Sequence, residues 1–142
     1  MKRVRTQVVA RWMFLACGIW LVGLGLYFIF LRPPLLPEDP RYMGATLEQI
    51  QQALPGLAAW LDKVFTVMGG FMASAGILTL LAAVRLPAAA GRGFTWSAAV
   101  AGVAGVGLMS AVNFALGSDF RWLLLVPALA WLLAVVALAR SG

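Results

Sequence analysis

The chain has 142 residues and 15.2 kDa, of which 63% are apolar and 11% charged, with a mean hydropathy of +0.93. A water-soluble domain carries roughly a quarter charged residues, so an ordinary soluble globule and a disordered chain are both excluded. Cys17 is the only cysteine, which excludes a disulfide scaffold, and the lack of histidine removes imidazole-dependent haem, zinc and Ser-His chemistry.

Four long uncharged runs hold the apolar residues: Trp12 to Leu31 (20 residues), Val64 to Val84 (21), Phe94 to Leu116 (23) and Trp122 to Ala139 (18). A helix rises about 1.5 Å per residue, so roughly 20 residues cross a hydrocarbon core of about 30 Å. Lipid offers the backbone no hydrogen-bond partners, so each run must be helical. The fold expected is all-α: one four-span polytopic membrane domain over residues 1–142. The first run follows a basic start (Lys2, Arg3, Arg5) but is longer than a signal h-region and leads into Arg32-Pro33-Pro34, so it reads as an uncleaved anchor.

Charge predicts the orientation. With the N-terminus inside, the inner segments carry seven positive charges (Lys2, Arg3, Arg5, Arg11, Arg85, Arg92, Arg140) and the outer ones four (Arg32, Arg41, Lys63, Arg121). The positive-inside rule favours this arrangement, with both termini cytoplasmic. The net charge of +6 and pI of about 10.8 then describe a cytoplasmic membrane face and no nucleic-acid binder, because the basic residues are juxtamembrane. Trp12, Trp96, Trp60 and Trp122 fall at the expected interfaces, whereas Trp20 and Trp131 lie deep in spans, where packing is the simpler role.

Between spans one and two lies an outer loop, residues 32–63. Its proline-rich start, Arg32 to Pro40, predicts an extended exit from the membrane. Thr46 followed by Gln49 has the form of a capping box. Leu47, Ile50 and Leu54 at i, i+3 and i+7 predict a short amphipathic helix, ended by Pro55-Gly56. Its apolar face rests on the bilayer or on the outer ends of the spans. Residues 57–63 form a helical lead into span two. The surface residues here are Met43, Gly44, Thr46, Leu47, Ile50 and Leu54, serving as a lid or as a docking site.

Leu36-Pro37-Glu38-Asp39, then Met43-Gly44-Ala45-Thr46-Leu47-Glu48-Gln49-Ile50, then Gly69-Gly70 resembles a pattern in small bacterial four-helix membrane proteins, which are similar in turn to the broad DoxX-like group. The likeness covers about residues 36 to 76. It implies a bacterial inner-membrane location and a packed four-helix unit. The family pattern has histidine and aspartate before span two; here Asp62 stands without histidine.

In span three, Ala98, Ala101, Gly102 and Gly105 fall within about 100° of one another at the helical period, with Met109 and Val112 continuing that face. Ala98-x-x-x-Gly102 and Ala101-x-x-x-Gly105 are small-xxx-small pairs, which let helices approach closely within the protein or between copies. Asn113, near the outer end of this span, is expected to face other helices, since an amide in lipid is costly. The span hydroxyls can bond back to their own helices. Pro127 is placed to kink span four. No phosphate cradle, metal-ligand set, second cysteine or intramembrane charge is present, so no cofactor and no metal are expected. This chemistry points to a non-enzymatic membrane subunit whose partners are the bilayer and a membrane protein or further copies. The alternative is a binder or carrier of a lipid, quinone or other apolar molecule.

Overall fold

The computed structural model describes residues 2–89 and 91–141, and the side chains of residues 4–86 and 91–141. The side chains of Lys2 and Arg3 and the middle of the connection between spans two and three, residues 87–90, therefore lie outside the described side chains. Among the described residues the chain is helical, without strands: α1 (Lys2–Phe30), α2 (Glu38–Met43), α3 (Leu47–Ala53), α4 (Leu57–Ala89), α5 (Arg92–Gly102), a π-helical turn (Val103–Gly107), α6 (Leu108–Ala115) and α7 (Arg121–Ala139). Four stretches are long and apolar enough to cross a membrane: Val4–Phe30, Leu57–Leu86, Arg92–Ala115 (which includes the π turn) and Arg121–Ala139.

Two boundaries differ from expectation. Helix α1 begins ten residues before the apolar run, because Lys, Arg and Gln propagate a helix as well as most apolar residues do. Helix α4 takes in the lead at residues 57–63 as expected and differs at its other end, where it continues past Val84. The proline-rich exit is also shorter than predicted. It gives way to α2 at Glu38, and Pro40 is accommodated in the first turn, where no amide hydrogen is required. Gly44 ends α2 at φ +67, a left-handed conformation that a side chain would strain.

The described chain forms two compact units, Met1–Trp20 with Ala75–Gly142, and Leu21–Ser74. Both α1 and α4 contribute to each. The first unit is built around Phe14, 2% exposed, whose ring meets Trp131 edge-on at 5.1 Å and Phe94 at 6.4 Å. Small residues Ala10, Ala83, Ala98, Ala134 and Ala137 let the backbones close on these rings. The second unit is held by a direct backbone crossing. A Cβ added at Gly25 would stand 2.6 Å from the Gly69 carbonyl oxygen and the Ala73 amide nitrogen, so α1 and α4 touch there without intervening side chains. Of the Gly69-Gly70 pair, only Gly69 is at the crossing; nothing lies within 4 Å of a Cβ at Gly70.

Candidate functional site

In the first unit the site-bearing element is the third apolar stretch, Arg92–Ala115, and its two small-residue pairs part company. Ala98 and Gly102 are buried, and both face Trp131 of α7. The Trp131 indole Nε1–H donates to the Ala98 carbonyl at 2.8 Å, and a Cβ at Gly102 would overlap the same ring. The half-buried indole is thus satisfied by a helix carbonyl, which only a residue without a side chain at 102 permits. Ala101 and Gly105, in contrast, are exposed, and nothing lies within 4 Å of a Cβ at Gly105.

The π turn explains this difference between the two pairs. Each i to i+4 step in an α-helix advances about 40° around the axis, so a regular helix would carry the contact face from Gly102 to Gly105, Met109 and Val112. A π turn needs one more residue to close. The observed face runs Ala98, Gly102, Val106 (3% exposed), Ser110 (4%) and half-buried Asn113, one residue later at every step beyond the turn. Ala101 lies about 60° to one side of Ala98 and drops off the face for that reason. Gly102, Gly105 and Gly107 cluster around the turn, where they weaken the α ladder. That cluster was the available signal.

Asn113 does not bridge helices. Its Nδ2 donates at 2.8 Å to the Met109 carbonyl of its own helix, as the hydroxyls of Thr66 and Thr79 do to Asp62 and Ala75. The amide is satisfied locally, so it needs no neighbour. Cys17 is buried and its Sγ–H donates to the Pro127 carbonyl at 3.3 Å. Trp20, on α1, has a buried indole nitrogen without a hydrogen-bond partner.

In the second unit the polar segment is organised by Arg32, in which the sequence alone shows only a charge. Its guanidinium lies 3.5 Å from the Phe65 ring centroid and 5.1 Å from that of Phe28. It donates to the Pro33 carbonyl and pairs with Asp39 at 3.9 Å. Asp39 also accepts the Leu36 amide at 2.7 Å, so one carboxylate ties the turn to the arginine. The Arg32 side chain is only 9% exposed. Burial pushes its pKa down, while Asp39, Tyr27 and Glu38 pull it back up. A cation stacked on an aromatic face is worth about 0.5–2 kcal/mol, more when desolvated. The legible clue was Phe28 one turn before Arg32.

Beyond α2 the capping box forms. Thr46 Oγ1 accepts the Gln49 amide at 3.1 Å and Gln49 Oε1 accepts the Thr46 amide at 2.8 Å. Of the predicted apolar line, Ile50 is buried, but Leu47 and Leu54 are 46% and 58% exposed. Met43 is exposed as well, at the end of α2. Among the described residues, no three His, Cys, Asp or Glu side chains are grouped to hold a metal. No protein family, curated protein or solved structure matches the chain.

Proposed function

We propose that this chain is a multi-pass membrane subunit that packs against a partner's helices or against copies of itself. The carrying observation is the open pair Ala101 and Gly105 on span three. Only 17% of the most apolar stretch of that span is buried within the chain, the smallest share of the four. Small residues give up dispersion contacts to lipid that leucine would make, and recover them only when another backbone approaches closely. The seven-to-four charge split supports cytoplasmic termini and an outer segment that carries α2 and an amphipathic α3. The resemblance to bacterial four-helix proteins supports a bacterial inner membrane.

Native mass spectrometry of the protein extracted from its own membranes in mild detergent is the test. An oligomer or a co-purified membrane protein is expected, and Gly105→Leu should abolish it while leaving the tryptophan emission from the Trp131 contact unchanged. A monomer in both forms would overturn the subunit reading.

One observation favours the carrier reading. The buried, unpartnered Trp20 indole N–H would be satisfied by a carbonyl oxygen of a bound quinone or ester lipid. A small molecule retained stoichiometrically by the wild type and lost in Trp20→Phe would establish that role instead.

A further inference from the structure

The segment between α1 and α4 is short and polar in composition, yet Tyr42, Met43, Leu47 and Leu54 are all exposed, by 66%, 47%, 46% and 58%. Their arrangement on α3 is one-sided. Ile50 is buried and fixes the roll of the helix. At the helical period, Leu54 and Leu47 lie about 40° and about 60° from Ile50, both on the same side. Glu48, Gln49, Gln51 and Gln52 take the rest of the circumference toward solvent, with Gln52 bonded to Glu48 at 3.2 Å. The helix therefore presents one seam to the protein and one adjoining apolar flank to something else.

Reach limits what that can be. Leu54 is three residues from the first residue of α4, within about 10 Å of extended chain. Helix α3 itself is only about 10 Å long. The apolar flank is continuous along the chain with Trp60, 62% exposed in the first turns of α4, and Phe30 and Leu31, each more than 70% exposed, close the other end of the segment. Indole, phenol and leucine side chains at this level are the composition of a membrane interface.

We propose that the outer segment is a monolayer anchor. With Ile50 seated on the protein, α3 lays Leu47 and Leu54 into the boundary between headgroups and acyl chains of the outer leaflet, and Tyr42 and Met43 at the end of α2 enter beside them. The capping box stabilises the helical form that makes this flank, and the Arg32–Asp39 turn holds the chain between the end of α1 and α2. The occupant is the lipid surface, recognised by apolar burial. The inference rests on α1 and α4 crossing the membrane.

The test uses the full chain in vesicles of phosphatidylcholine with phosphatidylglycerol, on a Cys17→Ser background, with a nitroxide at Leu47→Cys, Leu54→Cys, Gln52→Cys or Phe71→Cys. Collision with oxygen is compared with collision with a water-soluble nickel chelate. Phe71, 72% exposed near the middle of α4, reports insertion. The expected result is strong chelate protection at 71, and several-fold lower chelate collision at 47 and 54 than at 52. Equal chelate access at 47, 52 and 54 with protection at 71 would overturn the anchor and leave the spanning reading standing. Chelate access at 71 would overturn both.

Discussion

The third apolar stretch, Arg92–Ala115, contains the same sequence feature twice, one residue-triplet apart, and the two copies have opposite fates. Ala98 and Gly102 close on Trp131, while Ala101 and Gly105 are exposed, with nothing among the described residues within 4 Å of a Cβ at Gly105. Nothing in the spelling of the two pairs separates them. The separation comes from the partner and from helix phase. Trp131 selects the line through 98 and 102, and the π turn then keeps that line on α7 by absorbing a residue. A small-xxx-small pair thus marks where a helix can be approached, and the surrounding helix geometry decides which approach is used inside the chain.

The largest expected effect follows from exchanging the roles of the two glycines. Gly102→Leu must displace the Trp131 indole, break its hydrogen bond to Ala98 and disturb the contact with Phe14. Overpacking alone costs about 1–3 kcal/mol, and the lost hydrogen bond adds to it. A marked fall in the thermal midpoint in detergent is expected, with a change in tryptophan emission. Gly105→Leu should leave the emission unchanged and lower the midpoint only by what assembly with a partner adds. Equal falls would mean that Gly105 is also an internal contact and that the comparison is misdrawn.

A single-residue deletion sharpens the same point with a smaller effect. Removing Ala104 takes the extra residue from the π turn, so the helix can close as a regular α-helix with Val106 and Ser110 still directed at α7. Removing Ala130 from α7 leaves no such slack and rotates Trp131 away from Gly102 by about 100°. The first variant should retain more of the wild-type thermal midpoint than the second. If the Ala104 deletion is the more damaging, the turn is not what sets the register.

Much of this was legible in the sequence. Hydropathy alone marked the four apolar helices, because length and lack of charge are properties of each segment taken singly. The capping box was legible for the same reason: Thr46 and Gln49 act within one turn. Trp131 was recognisable as a packing residue, since it stands near the middle of its apolar run. What could not be read was any feature that depends on two segments or on helix phase. The period of 3.6 residues carried the face through Gly105 to Val112, and only the π turn moves it to Val106, Ser110 and Asn113. In sequence Arg32 is only a loop charge, because Phe65, which lies beneath its guanidinium, is 33 positions away. Asn113 was expected to seek a neighbour, although the carbonyl one turn back was always within its reach.

The segment that carries α2 and α3 repeats the comparison on a smaller scale, since Ile50 and Leu54 belong to one predicted apolar line and only Ile50 is buried. What keeps that line helical is the reciprocal pair between Thr46 and Gln49, because a helix of seven residues is too short to persist on propensity alone. Thr46→Ala removes the acceptor for the Gln49 amide and should cost about 0.5–2 kcal/mol of local stability. Glu48→Ala loses an exposed contact to Gln52 and a favourable charge in the first turn, each worth less because both are solvated. Hydrogen exchange across residues 47 to 54 should therefore accelerate strongly in Thr46→Ala and only slightly in Glu48→Ala, with the amides of α4 unaffected in both. Equal protection in wild type and both variants would mean that Ile50, seated on the protein, holds the helix without its cap, and that packing outweighs local chemistry even in the shortest helical elements of this chain.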